Sequence, residues 1–492
     1  MKFFSTRSLQ ETSAAGAIAK GLAPDGGLFV PEQIPCVTPD DLRRLCAMDY
    51  RARAVKIMGL YLEAFSADEL ERFAQAAYGA QFDDPAIAPV KQLNENTSFL
   101  ELWHGPTCAF KDMALQLLPH LLTASLKKKG ETRQVCILVA TSGDTGKAAL
   151  QGFADVPGTK IMVFYPHGGV SDVQRLQMVT QQGGNVGVCA VNGNFDDAQT
   201  GVKQIFGDTS MAGRLSERGW FLSSANSINW GRLLPQIVYY ISAYCDEVNA
   251  GRITLGEMIN FVVPTGNFGN ILAGWYAKQM GLPVNRFICA SNENNVLTEF
   301  IRTGTYNKNR PFHVTASPSM DILVSSNLER LLFTLSGSAP ETDGYMHALK
   351  ENGQYTVSDT LLEKLQAEFS CGFCGDDRTR AAIGRVWEEY RYLMDTHTAV
   401  AWQVLEDYRA ESGDQTPAVV VSTASPFKFC DHVLRAVGGN ADAPGVQLID
   451  RLSEMTGIPA PEPLAGLDRR EVRFGGVVEK DGMPQAVETF LA

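Results

Sequence analysis

Lys111 is the residue whose surroundings most clearly predict chemistry. It lies in the run His104-Gly-Pro-Thr-Cys-Ala-Phe-Lys111-Asp112, where small and apolar residues precede the amine. A lysine removed from bulk water loses part of its preference for the protonated form, and its free amine can condense with an aldehyde as a Schiff base. An arbitrary lysine more often packs its stem while its charged head reaches solvent, so Lys111 alone does not define a site.

A glycine-rich turn follows the predicted strand from Gln134 to Ala140. The turn reads Thr141-Ser-Gly-Asp-Thr-Gly146, and a helix is predicted to begin near Lys147. Glycines permit a tight turn, and the N–H groups at the start of a helix favour an anion. The glycine spacing is too short for a Walker A loop, and Ala148 replaces the magnesium-binding hydroxyl. The turn therefore predicts a carboxylate or phosphate site.

A second loop of this kind follows the predicted strand from Met258 to Val263. It reads Pro264-Thr-Gly266-Asn-Phe-Gly269-Asn270 and runs into a helical segment. The loop lacks the dinucleotide-binding spacing GxGxxG, and its glycines and asparagine amides indicate a phosphate cradle. Taken alone, such a Gly/Asn segment is more often only a turn.

Two hydroxyls follow a third buried strand, predicted from Ala418 to Val421. The segment reads Ser422-Thr423-Ala-Ser425-Pro-Phe-Lys428-Phe429. Ligands of open α/β sheets bind beyond the carboxyl ends of the strands, so these hydroxyls are expected to face the same crevice as the two loops. A neutral hydroxyl beside a pyridine nitrogen would leave that nitrogen unprotonated. The alternative is that Ser422 and Thr423 only satisfy local backbone groups.

Apolar β-branched runs alternate with helical patterns along the chain, which predicts an α/β fold of parallel sheets wrapped by helices. Further strands are predicted at Lys160 to Tyr165, Asn185 to Val191 and Arg286 to Ala290. Residues 1–95 read as a mainly helical N-terminal domain, with several helices from Leu42 to Tyr78. Residues 96–205 are predicted to form a small α/β domain that carries Lys111 and the 141–146 turn.

Residues 206–492 are predicted to form a large α/β domain with a mostly helical insertion at about 298–416. Long amphipathic helices are predicted from Asp377 to Arg409. The run Asp395-Thr-His397-Thr398 is expected to begin a helix there, with Asp395 as its N-cap. A lone histidine at this position does not by itself predict a site.

Composition excludes several classes of partner. The chain has 492 residues, of which 45% are hydrophobic and 20% charged, which is typical of a globular protein with two or three domains. Its formal charge of −12 and its single short basic run, Lys127-Lys128-Lys129, argue against nucleic acid and anionic membranes. No stretch is long enough to span a bilayer, and Met1 to Arg7 lacks a signal-peptide core, so a cytoplasmic location is expected.

The ten cysteines are scattered through apolar runs, which is typical of small buried hydrophobes rather than of a disulfide framework. Cys371-Gly-Phe-Cys374 has CxxC spacing, but it lacks a second pair. One isolated pair is weak support for a metal or redox site. No metal is therefore predicted.

The lysine, the two anion loops and the late hydroxyl fit one cofactor, pyridoxal 5′-phosphate. Together they closely resemble the threonine synthase family, within the tryptophan-synthase-β-like enzymes of fold type II. The resemblance covers most of the chain. It is carried by Ser5-Thr-Arg7, Gly21 to Pro31, HGPTCAFKD, ATSGDTG, SANSINWGRLLPQ (Ser224 to Gln236), PTGNFGN, DTHTAV and STASPFKF.

The resemblance implies roles for individual residues. Lys111 matches the Schiff-base lysine, which also moves protons as a general base. Thr423, with Ser422 as the less favoured neighbour, matches the partner of the pyridine nitrogen. The phosphate-cradle positions are Gly266, Asn267, Phe268, Gly269 and Asn270. The substrate-binding candidates are Ser142, Asp144 and Thr145, then Asn226, Ser227 and Asn229, and, by charge and position, Lys147 and Arg175.

The chain departs from the commonest family pattern at three positions. Many members read STAHPAKF where this chain has Ser425 and Phe427, and Thr396 stands where a proline is usual. The differences at Ser425 and Phe427 are expected to affect substrate handling. Thr423 is retained, so the departures leave the expected cofactor binding intact.

The implied reaction converts O-phospho-L-homoserine and water to L-threonine and phosphate, the last step of threonine biosynthesis. An alternative is a phospho-lyase that releases 2-oxobutyrate from the same substrate. A third possibility is a protein that binds a phosphorylated ligand without catalysis, which the retention of Lys111 disfavours. The sequence is compatible with a monomer or a homodimer.

Overall fold

Short runs rich in β-branched and aromatic residues form the strands of the computed structural model, which describes residues 1–492. The strands are β1 (Lys2–Ser5), β2 (Glu11–Ser13), β3 (Phe29–Pro31), β4 (Val90–Asn94), β5 (Thr97–Glu101), β6 (Gln134–Ala140), β7 (Thr159–Pro166), β8 (Val186–Val191), β9 (Trp220–Ser223), β10 (Ile259–Pro264), β11 (Val284–Ser291), β12 (Thr305–Asn307), β13 (Gln354–Thr356), β14 (Phe369–Phe373), β15 (Ala418–Ser422) and β16 (Val477–Val478).

Most of the helices begin at a residue whose side chain caps their free N–H groups, as Ser66, Asp395 and Ser358 do. The helices of the first half are α1 (Ala14–Lys20), α2 (Pro39–Cys46), α3 (Tyr50–Tyr61), α4 (Ala67–Ala77), α5 (Asp112–Leu115), α6 (Leu118–Lys128), α7 (Asp144–Phe153), α8 (Asp172–Val179), α9 (Phe195–Gly207), α10 (Thr209–Glu217) and α11 (Trp230–Asn249). Those of the second half are α12 (Gly269–Gln279), α13 (Val296–Thr303), α14 (Leu328–Ser336), α15 (Ala339–Asn352), α16 (Asp359–Glu368), α17 (Asp376–Tyr390), α18 (Thr396–Ser412), α19 (Cys430–Ala436), α20 (Gln447–Thr456) and α21 (Met483–Phe490).

The larger sheet has six strands in the order β14-β11-β10-β15-β5-β4. All neighbours are parallel except β4, which pairs with β5 in the antiparallel direction. The strands β5, β10 and β15 therefore end at one edge of the sheet. The Lys111 turn, the loop beginning at Thr265 and Thr423 all follow these carboxyl ends.

The smaller sheet has five parallel strands in the order β16-β8-β7-β6-β9. The turn at 141–146 follows β6, and the segment that contains Asn226 and Ser227 follows β9. One continuous apolar core joins both sheets to the N-terminal helices, and a smaller core lies between the second sheet and α9, α10 and α21.

The six strands predicted from the sequence all form, with ends displaced by at most two residues. The predicted helix near Lys147 instead begins at Asp144, because Gly143 precedes it with a φ of 141° that other residues rarely adopt. The N-terminal segment was expected to be mainly helical, but β1, β2 and β3 also form an antiparallel sheet there.

The sheets cross the predicted domain boundaries. β5 belongs to the predicted small domain but lies in the six-stranded sheet. β9 and β16 belong to the predicted large domain but lie in the five-stranded sheet. The insertion at 298–416 is mostly helical as predicted, but it also contributes β14 to the large sheet and the pair β12–β13. No helix is both long and apolar enough to cross a bilayer.

Candidate active site

Lys111 lies in the turn before α5, at the carboxyl edge of the six-stranded sheet. The N–H of Phe110 donates to the carbonyl oxygen of Thr423 at 2.8 Å, which ties this turn to the segment after β15. The Lys111 side chain is 11% exposed, and its Nζ lies 3.3 Å from Ser319 Oγ and 3.7 Å from Asp144 Oδ2. Burial lowers the pKa of the Lys111 amine, although the Asp144 carboxylate opposes this shift. The amine is therefore easier to deprotonate than that of a solvated lysine.

The carboxylate of Asp112 supports the Lys111 turn from behind. Both the N–H and the hydroxyl of Thr107 donate to Asp112 at 2.8 Å. A Cβ on Gly105 would lie 2.6 Å from Asp112 Oδ2, so the turn needs glycine at this close approach. Burial raises the pKa of Asp112 to about 6.

Asp144 lies between two lysines. Lys428 is fully buried, and its Nζ donates to Asp144 Oδ1 at 2.8 Å and to the carbonyl oxygen of Thr107 at 3.0 Å. Gln174 Nε2 also donates to Asp144 Oδ1, at 3.0 Å. Burial on its own would raise the pKa of Asp144, but the ammonium groups of Lys428 and Lys111 hold it well below its usual range. Asp144 is therefore a fixed negative charge next to the Lys111 amine.

The turn at 141–146 presents free donors to the same cleft. Thr141 Oγ1 accepts the N–H of Gly143 at 3.0 Å and so closes the turn. A Cβ on Gly143 would lie 2.4 Å from the amide carbon of Gln174, so no other residue fits there without a shift. Three backbone N–H groups donate to no acceptor in the chain, those of Ser142, Asp144 and Thr145. Such a group of donors at the start of a helix suits a carboxylate.

The loop after β10 presents a longer row of free donors. The consecutive backbone N–H groups of residues 266–271 donate to no acceptor within the chain, and we call this row the N–H cradle. Phe268 has a left-handed backbone with a φ of 61°, and α12 begins directly after it. A Cβ on Gly266 would lie 2.5 Å from the carbonyl oxygen of Ser319. The cradle matches a phosphate in charge and in hydrogen-bonding type.

Asn270 carries one further free donor at the base of the N–H cradle. Its Oδ1 accepts the hydroxyls of Tyr239 and Tyr240, each at 2.7 Å. Its Nδ2 is buried and has no partner in the chain. Buried amide groups are nearly always hydrogen-bonded in folded proteins, so this Nδ2 indicates a missing acceptor.

Two buried side chains, Asn327 and Arg330, support the N–H cradle from α14. Asn327 Nδ2 donates to the carbonyl oxygen of Asn267 at 3.0 Å, and Arg330 Nη1 donates to Asn327 Oδ1 at 2.6 Å. Arg330 also donates to the carbonyl oxygens of Phe29 and Ile228, at 2.9 and 2.5 Å. Burial lowers the pKa of Arg330 to about 10. One guanidinium thus connects the N-terminal domain, the segment after β9 and the cradle.

The two hydroxyls after β15 differ in availability. Ser422 Oγ accepts hydrogen bonds from Trp103 Nε1 and from Thr398 Oγ1, both at 3.0 Å. The Thr423 hydroxyl makes no hydrogen bond within the chain, although the residue is buried. Thr423 is therefore the better placed of the two to meet a ligand.

His397 connects the start of α18 to the segment beside Lys111. The N–H of Ser319 donates to His397 Nε2 at 3.1 Å, and His397 Nδ1 lies 2.7 Å from Asp395 Oδ2. Because Nε2 accepts this hydrogen bond, Nδ1 is the ring nitrogen that donates to Asp395. The expected N-cap of Asp395 is present, but the histidine also fixes Ser319, whose hydroxyl contacts Lys111.

The segment after β9 contains one structural asparagine and two accessible side chains. Asn229 is buried, donates to the carbonyl oxygen of Ile18 at 2.9 Å, and accepts the N–H of Gly231 at 2.8 Å as the N-cap of α11. Ser227 donates to Asn226 Oδ1 at 3.3 Å, and Asn226 is exposed. The structure therefore gives Asn229 a supporting role and leaves Asn226 and Ser227 free to face the cleft.

The two cations selected by charge lie in different surroundings. Lys147 is buried; its Nζ donates to Gln151 Oε1 at 3.2 Å and also to Gln181, and it makes no contact with Lys111. Arg175 is 39% exposed and lies 3.9 Å from Asp172, one residue after the Gln174 that holds Asp144. Neither cation contacts Lys111.

The three departures from the family pattern are accommodated without distortion. Ser425 Oγ accepts the N–H of Phe427 at 3.3 Å, and both side chains are buried. Thr396 is the first residue of α18, and its buried hydroxyl has no partner. None of the three side chains makes a hydrogen bond to Lys111.

Several supporting residues were not selected from the sequence. Ser319, Asn327 and Arg330 lie in the predicted insertion, outside the motifs that resemble the family, whereas His397 and Lys428 lie inside two of those motifs. One signal was available in the sequence. Arg330 and its neighbour Glu329 are charged residues in the otherwise apolar segment Leu328-Glu-Arg-Leu-Leu-Phe. Buried charges usually have specific partners, so this position could have been selected.

These residues fit pyridoxal 5′-phosphate. The N–H cradle and Asn270 Nδ2 offer donors for its phosphate, Thr423 offers a free hydroxyl for its ring nitrogen, and Lys111 offers an amine for its aldehyde. The phosphate, the ring nitrogen and the aldehyde of the cofactor thus each have a matching group. The chemistry of the donors supports the cofactor that the resemblance implies.

Family profiles match nearly the whole chain. The profile described as Pyridoxal-phosphate dependent enzyme matches residues 85–424, Threonine synthase N terminus matches residues 2–78, and Threonine synthase, C-terminal matches residues 398–490. The threonine synthase of Pseudomonas aeruginosa is 39% identical over 92% of this chain and 93% of its own length. Human Threonine synthase-like 1 is 41% identical over 88% of this chain, which spans only 60% of that longer protein.

Solved structures agree in overall fold. A PLP-bound threonine synthase from Brucella melitensis has a TM-score of 0.88 at 37% identity and is covered over 98% of its chain. The yeast threonine synthase has a TM-score of 0.89 at 33% identity, with the same coverage. Both comparisons include 100% of this chain. This chain therefore belongs to the threonine synthase family of fold type II, pyridoxal-phosphate-dependent enzymes.

Proposed function

We propose that this protein converts O-phospho-L-homoserine and water to L-threonine and phosphate, as the last step of threonine biosynthesis. The observation that carries the proposal is the position of the Lys111 amine between two sets of free N–H donors, at 142–145 and at 266–271. A substrate with an α-carboxylate, bound beside a phosphorylated cofactor, requires both sets. The near full-length similarity to a protein named threonine synthase supports the same reaction.

In this proposal Lys111, the N–H cradle and Thr423 hold pyridoxal 5′-phosphate, with Ser422 supporting the strand end. The bound cofactor would supply an electron sink that makes the protons on Cα and then Cβ of the substrate acidic. The protein supplies placement, exclusion of water and the proton acceptor. Cys108, at the back of the Lys111 turn, is buried with a raised pKa for its thiol, so it takes no part.

The turn at 141–146 is the proposed site for the substrate carboxylate. The free N–H groups of Ser142, Asp144 and Thr145 point to an anion there, and Gly143 between them leaves room for the side chain of Gln174. Asn226 and Ser227 are proposed to line the opposite wall, with Asn229 holding their segment on α11. Arg175 is the proposed contact for the substrate phosphate, because it follows Gln174 on α8.

Lys111 is the proposed proton carrier. Its pKa is lowered by burial, so a larger share of the amine is free to accept a proton at neutral pH than for a solvated lysine. Ser319 Oγ and Asp144 Oδ2 lie 3.3 and 3.7 Å from its Nζ, and they orient the amine. One side chain can then remove protons from successive substrate carbons without moving out of the cleft.

Product analysis tests this function. The purified holoenzyme is incubated with O-phospho-L-homoserine, and phosphate, threonine and 2-oxobutyrate are quantified by NMR spectroscopy. We expect threonine and phosphate in equal amounts, complete loss of both in Lys111→Ala, and no change in Lys127→Ala, an exposed lysine of α6. Release of 2-oxobutyrate without threonine would refute the proposed reaction, and release of neither product would refute catalysis on this substrate.

A further inference from the structure

A polar cavity lies away from the Lys111 cleft, where the C-terminal ends of α7 and α8 meet the segment 467–474. Its volume is about 630 Å³, within the range of small-molecule sites. Ala154 is the single apolar residue in its wall, and none of the residues that contact Lys111 lines it. The cavity therefore suits a small polar ligand and is separate from the proposed reaction site.

Lys147 supplies a buried amine to this cavity, and the amine is a cation when it is protonated. The residue is only 8% exposed, and its ammonium donates to the carboxamide oxygens of Gln151 and Gln181. No carboxylate oxygen lies within salt-bridge distance, although an ammonium group has three donors. Burial lowers the pKa of Lys147 to about 7. A buried amine that lacks an anionic partner and lines a cavity is a candidate for ligand binding.

Arg470 and Gln151 add further free donors to the cavity. Arg470 uses its Nη2 on the carbonyl oxygens of Glu462 and Ala465, at 2.9 and 3.4 Å, and on the exposed carboxylate of Glu462 at 4.0 Å, and it leaves Nε and Nη1 without partners. Gln151 Nε2 donates to no group of the chain, while its Oε1 accepts from Lys147. Guanidinium and ammonium groups offer only donors, so the ligand part that meets them must be an acceptor, and a carboxylate is the matching anion.

Two carboxylates, from Asp155 and Glu471, balance these cations. Both residues line the cavity. Glu471 makes no hydrogen bond or ion pair, and Asp155 uses one oxygen to accept the N–H of Gly184 at 2.7 Å. The lining thus has two positive and two negative side chains, which would repel a polyanion such as phosphate from part of the wall. A zwitterion, by contrast, can pair with both signs of charge.

We propose that this cavity binds a free α-amino acid with a polar side chain. Its carboxylate pairs with Lys147 and Arg470, and its ammonium group pairs with Asp155 and Glu471. The bound carboxylate supplies the acceptor that Lys147 lacks. The inference goes beyond the proposed function and does not depend on it, because the two sites share no residue.

Thermal denaturation and calorimetric titration test the inference. The purified holoenzyme is mixed in turn with each standard L-amino acid, with acetate and with inorganic phosphate. We expect at least one polar amino acid to raise Tm and to bind, with acetate and phosphate binding at least tenfold more weakly. Failure of every amino acid to bind, or binding of phosphate in preference to all of them, would overturn the inference.

Matched variants locate the bound amino acid. Arg470→Ala is expected to weaken binding at least tenfold and Glu471→Gln to weaken it severalfold; both residues are exposed, so neither substitution threatens folding. Arg469→Ala removes an equally exposed neighbour that does not line the cavity, and it should bind as the wild type does. Asn226→Ala tests the Lys111 cleft in the same way. Binding lost in Asn226→Ala but kept in Arg470→Ala would place the amino acid in that cleft and refute the proposed site.

Discussion

The carboxylate of Asp144 faces two lysines that have different roles. Lys428 is fully buried and holds one oxygen of Asp144 at 2.8 Å, whereas Lys111 lies 3.7 Å from the other. Without Lys428, the carboxylate of Asp144 would pair with Lys111 alone and would stabilise the ammonium form of Lys111. Lys428 neutralises part of that charge and so favours the free amine of Lys111. A second cation near the reactive amine is a known way to make a lysine nucleophilic.

Replacement of Lys428 by methionine is expected to raise the pKa of the Lys111 amine. The substitution removes a cation that lowers this pKa and leaves Asp144 to stabilise the ammonium form of Lys111. Lys111 in the apoprotein should then react more slowly with an amine-selective reagent at neutral pH. The measurement is the pH dependence of labelling at the Lys111 peptide, followed by mass spectrometry. Since a buried ion pair loses one partner, the variant should also be less stable by about 3–5 kcal/mol.

Lys160→Met provides the control for this substitution. Lys160 is a partly buried lysine on β7 that donates to the carbonyl oxygen of Phe490 at 2.7 Å and contacts no residue of the cleft. It should leave the labelling profile of Lys111 unchanged. An unshifted profile in Lys428→Met would show that Lys428 only supports the fold.

The sequence pointed to Lys111 and the glycine-rich turns as candidates for the site, but not to the residues that contact them. Lys111 and the glycine turns are local patterns, readable from neighbouring residues. Ser319, Asn327 and His397 contact groups that lie 60 to 208 residues away in the chain, and their roles arise only when α14 and α18 pack beside the cleft. His397 is an example, since its sequence context indicated only a helix start, while its imidazole accepts a hydrogen bond from a segment 78 residues away.

At the scale of elements, the cleft is formed by loops that follow the carboxyl ends of parallel strands. β5, β10 and β15 lead into the Lys111 turn, the N–H cradle and Thr423, and β6 leads into the turn at 141–146. Six buried strands were predicted because their β-branched runs have the length of a typical strand, whereas β5 (Thr-Ser-Phe-Leu-Glu), equally buried and as long as β15, has no such run and was missed. β2, β3, β12 and β13 have only three residues each, too few to show an alternating pattern.

Substitution of Gly266 by alanine is expected to weaken cofactor binding by at least about tenfold, or ~1.4 kcal/mol. The added Cβ would lie 2.5 Å from the carbonyl oxygen of Ser319, and this backbone atom can move only by displacing the N–H cradle or the Ser319 segment. Equilibrium titration of the apoprotein with pyridoxal 5′-phosphate, followed by the visible absorbance of the bound cofactor, measures the loss.

Gly344→Ala is the matched control for the cradle glycine. Gly344 lies within α15, where a Cβ would meet nothing within 4 Å. Its substitution should leave cofactor affinity unchanged and stabilise the helix by about 0.5–1 kcal/mol. Equal cofactor affinity in the Gly266 and Gly344 variants would contradict the proposed position of the phosphate.

At the scale of the whole molecule, buried polar links join the N-terminal domain to the rest. Arg330 reaches Phe29 of the N-terminal sheet, and Arg53 of α3 donates to Asp246 of α11 at 2.7 Å. Neither link can be predicted from hydrophobic periodicity, because each depends on where a segment distant in sequence lies in the folded chain. The membership of β9 and β16 in the smaller sheet was missed for the same reason.

His104 is a further link, and it makes stability depend on pH. Its Nδ1 lies 2.5 Å from Asp83 Oδ1 before β4, and its Nε2 lies 2.9 Å from Glu101 Oε2 at the end of β5. Burial would lower the pKa of His104, but the two carboxylates outweigh it and raise the pKa to about 9. The unfolded value is about 6.5. The stabilisation is therefore fully present below about pH 6.5 and is lost as the pH rises through about 9.

His104→Gln should accordingly destabilise the protein by about 1–3 kcal/mol near pH 6.5 and by much less above about pH 9.5. Urea unfolding of wild type and variant at both pH values gives the difference in free energy. His347→Gln is the control, because the His347 side chain is 61% exposed and pairs only with Asp343 on its own helix, so its substitution should have little effect at either pH. A cost for His104→Gln that is the same at both pH values would mean that the imidazole contributes by packing and neutral hydrogen bonds, and that its charge does not join the N-terminal domain to the large sheet.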